Sequence, residues 1–369
     1  MIEFVLPGRG ARPGSLLWSA TRRWRVTEPL GLGVVGTGDW GANLVRNFAS
    51  LRDARLMALC DTDRERLSQA AARFPQARAT TRIEDLLAAA DVQAVVVAAS
   101  AAQHYALVKA ALEAGKDVFV EKPLALRVDH AEELVRIARD SRRVLMVGHL
   151  LLYHPGVRAL KEMVQRGDLG DLYYIYSQRV NLGKVRKDEN ALWSFAPHDL
   201  SVILHLFEAE PVDVAARGSA YLQGNVEDVV FLHLRFADGR MAHVHVSWLD
   251  PHKLRKFTVV GSRKMVVFDD MEASEKIKVY DKGVDRGGQI VSYGDALTVR
   301  SGDILIPRIS LQEPLRLECQ HFVDRVRDRA APLTGGANGL AVVKVLAAAQ
   351  ASLESGGVPV PLVQPARVG

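Results

Sequence analysis

The 369-residue sequence has only two cysteines, Cys60 and Cys319, and its longest uninterrupted apolar run is Ala94–Ala99. Two cysteines cannot form the disulfide framework of a small secreted domain, which fits a reducing compartment and predicts a cytoplasmic protein. The apolar run is far shorter than the roughly 18 residues that predict a transmembrane helix. We therefore expect a protein that does not act at a membrane.

The net charge is also small outside the chain ends. The formal net charge is +5, but residues 1–28 contribute five arginines against Glu3 and Glu28. The remainder is close to neutral, which argues against a nucleic-acid-binding surface. No apolar segment typical of a signal peptide follows Arg22 and Arg23. We expect residues 1–28 to form a poorly ordered basic extension; a basic interaction arm is the alternative.

Residues 29–150 alternate short apolar runs with amphipathic stretches of helical length. Continuous apolar strands separated by helices are typical of a parallel sheet covered on both faces. This pattern predicts an α/β, doubly wound Rossmann domain. Its predicted strands are Leu32–Gly36, Ala54–Cys60, Ala94–Ala99, Val118–Val120 and Val144–Val147.

The pattern changes in residues 151–369, where alternating strands dominate and helices return near the end. Val226–Phe236 and Arg240–Trp248 flank Asp238-Gly239, a strong signal for a two-residue hairpin turn. The predicted second domain is therefore α+β, with a large, open and mainly antiparallel sheet. One face of such a sheet needs cover, which predicts a homodimer or homotetramer.

A glycine-rich turn follows the first predicted strand and opens the first predicted helix. Its residues are Gly36, Thr37, Gly38, Asp39, Trp40 and Gly41. This GxGxxG spacing suits a pyrophosphate on a helix N-terminus, and Asp61 at the end of the second strand suits a ribose 2′-hydroxyl. The combination predicts a dinucleotide site that prefers NAD, because a carboxylate repels the 2′-phosphate of NADP. Arg64 nearby leaves NADP open.

The tripeptide Glu121-Lys122-Pro123 follows a strand at the carboxyl edge of the predicted sheet, where ligands of open α/β sheets bind. A lysine there can hold a sugar hydroxyl and ease its deprotonation. A surface lysine before a turn is the alternative interpretation.

Several motifs together resemble the glucose–fructose oxidoreductase/inositol dehydrogenase family. They are GVVGTGDWG, CDTD, AAS followed by His104, EAGKDVFVEKPLAL, VLMVGHLLLYHPGV and the late GGVPV, spread over the chain after the extension. The resemblance implies that Lys122 is catalytic. It also implies that Ser100, His104, Glu121 and Lys122 line the NAD site with the glycine turn and Asp61.

The same resemblance places a histidine at the start of a second-domain helix, and His198 matches it. An imidazole there can take the proton of a secondary alcohol while hydride leaves for nicotinamide. Many relatives carry Asp or Asn four residues earlier, where this chain has Ser194. An Asp–His pair is therefore not expected, and proton transfer relies more on Lys122.

Residues 181–193 form a polar segment similar to that of nucleotide-sugar members of the family, which act on UDP-N-acetylglucosamine. Lys184, Arg186 and Lys187 supply cations for a pyrophosphate-bearing substrate. A solvated charged loop is the alternative. The predicted substrate-binding residues are Lys122, Tyr153, Arg186, Asn190, Trp193 and His198.

Histidines on the predicted hairpin raise the question of a metal. His243 and His245 share a face of one strand, whereas a two-residue turn puts His233 opposite Val244 and on the other face. A three-histidine site therefore fails unless the turn has three residues. We expect no metal.

The predicted function is NAD-dependent oxidation of a sugar-ring alcohol to a ketone, with the 3-hydroxyl of UDP-N-acetylglucosamine as the specific hypothesis. A free-sugar or inositol dehydrogenase is the alternative within enzymes. A non-catalytic NAD-binding regulator is the alternative from another class, and the presence of both Lys122 and His198 argues against it.

Overall fold

The computed structural model describes residues 28–183, 185–187, 189–286 and 297–362. The predicted basic extension lies outside the described residues except for Glu28. Within these ranges the chain forms two sheets, one of six parallel strands and one of nine strands.

The first sheet is built from the strongly apolar runs of the first 150 residues. All strand pairs in it are parallel, and helices cover both faces. Its elements are β1 (Leu30–Val35), α1 (Asp39–Ala49), β2 (Ala54–Cys60), α2 (Arg64–Arg73), β3 (Arg78–Thr80), α3 (Ile83–Ala88), β4 (Ala94–Val97), α4 (Ala101–Glu113), β5 (Asp117–Glu121), α5 (Val128–Asp140) and β6 (Leu145–Gly148). The strand order is β3-β2-β1-β4-β5-β6, which confirms the doubly wound Rossmann topology.

The second sheet is mainly antiparallel, with one parallel pair inside it, and its strands alternate buried and exposed residues as predicted. A 3₁₀ turn and helix α6 (Pro155–Gln165) connect it to the first sheet, and Pro155 opens that helix. The remaining elements are β7 (Leu172–Val180), α7 (Ala191–Phe207), β8 (Asp213–Ser219), β9 (Val229–Arg235), β10 (Met241–Ser247), β11 (Leu254–Gly261), β12 (Met265–Asp269), β13 (Ile277–Arg286), β14 (Leu297–Leu305), α8 (Pro314–Asp328), α9 (Gly336–Glu354) and β15 (Val360–Pro361).

The predicted two-residue turn between β9 and β10 is wrong. Met241 pairs with Arg235, and Phe236 N donates to Arg240 O, so the loop contains the three residues 237–239. Gly239 adopts φ +87°, which suits the last residue of a three-residue loop that ends in a bulge. The register therefore pairs His233 with His243 and puts them on one face.

The two sheets divide near residue 150, but the late helices cross that division. Helix α8 packs on α1, and α9 packs on α5 and β6 of the first unit as well as on α7 and β8 of the second. Helix α9 is also long and apolar enough to cross a membrane by length and composition alone. Its packing in the interior accounts for that apolar character.

Candidate dinucleotide and substrate site

The glycine turn joins the end of β1 to the start of α1. Gly36 has φ +94°, and a Cβ there would lie 2.7 Å from the backbone of Ala98. Gly38 caps α1 without a side chain, and a Cβ there would meet only Arg66 Nη1, at 3.5 Å. The space above the first turn of α1, which contains Asp39, Trp40 and Gly41, is therefore open to a pyrophosphate. The turn fits a dinucleotide.

Asp61 ties the end of β2 to this turn. Its Oδ2 accepts from Thr37 N at 2.7 Å and Thr37 Oγ1 at 3.0 Å, and its Oδ1 accepts from Asp63 N at 2.9 Å. The carboxylate therefore stands beside the turn in the position predicted for ribose recognition. Arg66 also reaches the turn, because its Nη1 lies 3.5 Å from the place that a Cβ on Gly38 would occupy.

Glu121 connects the other edge of the dinucleotide site to helix α1. Trp40 Nε1 donates to its carboxylate, which also accepts from Lys122 N at 3.3 Å. Burial raises the pKa of Glu121 to about 7. The segment that carries Lys122 is therefore fixed to Trp40 of the glycine turn.

Ser100 and His104 lie at the carboxyl end of β4, near the predicted dinucleotide. Ser100 caps α4 and is exposed. His104 is 1% exposed, with Nδ1 2.7 Å from Pro123 O and Nε2 3.0 Å from Ala99 O. Its ring therefore links the two loops that border the site, which is a positioning role rather than direct cofactor contact.

Lys122 and His198 reach the same cleft from different domains. Lys122 Nζ donates to Ser194 O at 2.9 Å, one helical turn before His198 on α7. Burial lowers the pKa of Lys122, against the opposing charges of Glu189 and Glu121. Burial and the charge of Lys122 hold the pKa of His198 well below its usual value. The cleft therefore presents a lysine amine and a neutral imidazole together.

A buried ion pair lies behind His198 and was missed in the sequence. Asp199, with no exposed surface, accepts from Arg179 Nε on β7. Burial raises the pKa of the Asp199 carboxyl. An arginine within the apolar alternation of β7 was the available signal. The pair fixes the helix turn that carries His198.

A cavity of about 470 Å³ adjoins Ser194 and contains three cationic side chains. Its lining includes Arg186, Phe195, Lys253 and Arg255. Arg255 donates to Val180 O at 2.9 Å, and its guanidinium lies 5.1 Å from the Phe195 ring centroid. Arg186 pairs with Glu189 at 3.0 Å. The predicted Lys187 is exposed nearby, and Lys184 lies outside the described residues.

Three predicted substrate-binding residues occupy structural positions. Tyr153 is completely buried, and its hydroxyl lies 3.1 Å from Thr334 Oγ1. Asn190 caps α7 through Trp193 N, and its amide also donates to Glu227. Trp193 Nε1 donates to Gln350 at 3.2 Å. The polar atoms of Tyr153 and Asn190 already contact other residues of the protein. The prediction that these two residues bind substrate therefore does not fit their placement.

The corrected register brings three histidine rings together on the outer face of β9 and β10. The ring centroids of His233 and His243 are 4.4 Å apart, and Phe231 stacks on His245 at 4.3 Å. Among the residues that the structure describes, no group of three His, Cys, Asp or Glu side chains is arranged to hold a metal ion. The histidines here form part of an aromatic surface.

Comparison with known proteins gives the same architecture. Residues 30–149 match the model of an oxidoreductase family with an NAD-binding Rossmann fold, and residues 157–267 match the GFO/IDH/MocA C-terminal domain. GenD2 from gentamicin A biosynthesis, solved in complex with NAD, superposes with a TM-score of 0.77 at 25% identity, covering 98% of this chain and 100% of that one.

The curated relatives are about a quarter to a third identical to this chain over the aligned regions. A 2,7-anhydro-N-acetylneuraminate hydratase from Mediterraneibacter gnavus is 29% identical over 58% of this chain, which spans 60% of that protein's length. A UDP-N-acetylglucosamine 3-dehydrogenase from Acidithiobacillus ferrooxidans is 27% identical over 68% of this chain and 77% of its own. An inositol 2-dehydrogenase from Serratia proteamaculans is 29% identical over 59% of this chain and 67% of its own. The two family models together match more than half of the residues, and the chain belongs to the GFO/IDH/MocA oxidoreductase family.

Proposed function

We propose that this protein is an NAD-dependent dehydrogenase that oxidises a secondary alcohol of a sugar ring to a ketone. The observation that carries the proposal is the meeting of Lys122 and His198 in one cleft, next to a turn that fits a dinucleotide. The names of the curated relatives, which include dehydrogenases of UDP-N-acetylglucosamine and of inositol, support it.

NAD, His198 and Lys122 each take one part in the proposed oxidation of the alcohol. Bound NAD supplies the acceptor for the hydride that leaves the alcohol carbon. His198, which is neutral near pH 7 because its pKa is low, accepts the hydroxyl proton as the carbonyl forms. Lys122 as a cation stabilises the negative charge that develops on the oxygen. The carbonyl of Ser194 holds the lysine in place.

NAD rather than NADP is the proposed cofactor. The Asp61 carboxylate stands at the end of β2 beside the turn, where it accepts from a ribose hydroxyl and repels a 2′-phosphate. Arg66 opposes this preference, but its guanidinium pairs with Asp63, with Nε 3.3 Å from Oδ2.

The proposed substrate is a nucleotide sugar, specifically UDP-N-acetylglucosamine oxidised at its 3-hydroxyl. The cavity beside Ser194 carries Arg186, Lys253 and Arg255 next to the aromatic face of Phe195. Fixed cations suit a diphosphate, and a free sugar or an inositol has no group that needs them. That cavity therefore favours the nucleotide sugar over the free-sugar and inositol alternatives.

We further propose that the protein acts in the cytoplasm as a homodimer or homotetramer, without nucleic-acid or membrane partners. Tyr174, Tyr176, Phe231 and Met241 are exposed on neighbouring strands of the second sheet. A contiguous surface of that kind is typical of a subunit interface. A light-scattering mass near that of one 40.5 kDa chain at micromolar concentration would contradict this assembly.

The function is tested with purified protein and a panel of UDP-sugars, free hexoses and inositols, each with NAD and with NADP. Absorbance at 340 nm follows reduced cofactor, and mass spectrometry identifies a product two hydrogens lighter than the substrate. We expect the fastest NADH formation with UDP-N-acetylglucosamine. Cofactor binding without turnover of any alcohol would favour the non-catalytic regulator instead.

A further inference from the structure

His149 lies directly beside the proposed catalytic lysine but has no part in the mechanism above. It follows β6, whose last residue Gly148 pairs with Glu121 at the end of β5. Neighbouring parallel strands end at the same edge, so His149 is level with Lys122. Its side chain is only 1% exposed. A buried histidine therefore forms part of the wall at the carboxyl edge of the sheet.

A single contact determines which ring nitrogen of His149 carries the proton. Nδ1 lies 2.7 Å from Oδ1 of Asn338 in the first turn of α9. An amide oxygen only accepts hydrogen bonds, so Nδ1 is the donor and holds the hydrogen of the neutral ring. Nε2 is consequently left with a lone pair and acts as an acceptor.

That acceptor is unsatisfied. Nε2 of His149 is buried and has no hydrogen-bond partner among the described residues. Buried polar atoms in folded proteins nearly always have a partner, and those without one often belong to a binding or catalytic site. The missing partner must be a donor, because Nε2 can only accept in this tautomer.

His149 lies near the two side chains that are proposed to handle the proton of the alcohol. The charge of Lys122 lowers the pKa of His149, and His149 in turn contributes to the low pKa of His198. The charged and titratable groups near it are therefore Lys122, which follows β5, and His198 on α7, while Asn338 contacts it from α9.

His149 is neutral at neutral pH, because burial lowers its pKa to about 4. Its Nδ1 hydrogen is held by Asn338, so the ring has a fixed lone pair on Nε2. A neutral ring with a fixed lone pair suits recognition of a hydroxyl or amide N–H that is not itself removed. Such recognition is strongly selective, because a ligand without the donor leaves the buried nitrogen unpaired.

We propose that Nε2 of His149 accepts a hydrogen bond from an O–H or N–H donor on the carbon next to the one that is oxidised. His149 would thereby orient the ring and select substrates that carry this neighbouring donor. The inference rests on the proposed dehydrogenase function, of which it specifies the substrate class: vicinal diols and amido alcohols rather than isolated secondary alcohols.

The first test uses ¹⁵N-histidine-labelled whole protein with NADH, because an alcohol cannot be oxidised in that complex. NMR should find the hydrogen of free His149 on Nδ1. Addition of UDP-N-acetylglucosamine or myo-inositol should shift the Nε2 resonance, while Nδ1 stays protonated. A hydrogen found on Nε2, or no shift with either probe, would overturn the proposal.

The second test compares kcat/KM for the best alcohol in the panel with that for its analogue in which hydrogen replaces the neighbouring donor. Wild-type protein should prefer the complete substrate on the order of 10⁴-fold. His149→Phe should reduce that preference to about tenfold. Unchanged discrimination in this variant would overturn the proposal.

Matched variants separate recognition from general damage to the fold. Asn338→Leu removes the acceptor that fixes the tautomer and should lower the preference, whereas Asn338→Asp keeps an acceptor oxygen and should retain it. His130→Phe preserves the ring stacking on Tyr105, whose centroid lies 3.8 Å away, and should leave both activity and preference unchanged. A response of His149 to the probes without any turnover would refute the dehydrogenase function alone. Turnover with an unresponsive His149 would refute this inference alone.

Discussion

The cleft has a dinucleotide wall and a substrate wall, and the two are built from different kinds of chemical groups. On the dinucleotide side, a hexapeptide turn and the carboxylate of Asp61 form a backbone-lined cradle within one contiguous part of the sheet. On the substrate side, side chains that follow β5 and β6 come together with side chains of α7 and β11 from the second domain. The backbone of the first wall suits the pyrophosphate that all dinucleotides share, whereas the side chains of the second wall can change one residue at a time. Cofactor use should therefore be the robust property and substrate choice the variable one.

The comparison is tested most severely by removing the proposed proton-handling pair. Lys122→Ala and His198→Ala should each lower kcat by about 10² to 10⁴, because a positioned acid or base contributes that factor. NAD affinity, measured by calorimetry, should change little. The double variant should be far less impaired than the product of the single losses. Near-normal turnover of His198→Ala would move the base to Lys122, since Tyr153 is buried in the core.

On the dinucleotide wall, Asp61→Ala should weaken NAD binding by about 10- to 100-fold, the range for loss of a hydrogen bond to a charged group. The variant should also narrow the preference over NADP, measured as the ratio of kcat/KM values. Asp61→Asn is the matched control, because it keeps an oxygen that accepts from Thr37 N while removing the charge. Equal or better efficiency with NADP in wild-type protein would refute the assignment.

On the substrate wall, Lys253→Ala should raise KM for a UDP-sugar by about tenfold, the equivalent of one modest charge-assisted contact. Lys253 is exposed and lines the cavity, so its removal should leave the fold intact. In Lys253→Ala, KM for a free sugar or an inositol should stay constant. In the control variant Lys264→Ala, KM should stay constant for UDP-sugars and for uncharged sugars alike. If KM rose equally for UDP-sugars and for uncharged sugars, the cavity would not be the site that binds the phosphates of the substrate.

The smallest expected effect concerns Glu121, the buried carboxyl of the dinucleotide wall. Its pKa is raised from 4.5 to about 7, so its contribution to stability is present below pH 4.5 and is lost as the pH rises through 7. Glu121→Gln stays neutral throughout. Urea unfolding should therefore show the wild type losing about 1.4 kcal/mol relative to this variant between pH 6 and 8.5. A difference that does not depend on pH would place the carboxyl pKa near its ordinary value.

The sequence predicted the features that depend on local pattern. The Rossmann sheet and the glycine turn follow from the apolar runs and from a contiguous motif. That Lys122 and His198 belong to one site came from the resemblance to a family, since no local rule joins residues so far apart. Their roles in catalysis and those of the other site residues stay predictions.

Features that depend on tertiary packing could not be predicted from the sequence. Tyr153 looks like a candidate for substrate contact until His321 of α8 and the Thr334 segment are folded over it. The hairpin register changed because one additional residue in the loop moves every side chain of a strand to the opposite face. Lys253 and Arg255 joined the site only through the pairing of β11 with β7.

The covering of β6 has a consequence for the order in which the chain folds during synthesis. This edge strand of the first sheet is completed from the far end of the sequence: Val147 N donates to Thr334 O, and Met146 bridges to Gly335. Nearly the whole second domain is translated between these partners. A ribosome-bound first domain therefore has an unprotected strand edge until α9 emerges, which exposes it to pairing with other chains. The emergence of α9 thus completes the protection of the first domain, which was synthesised before it.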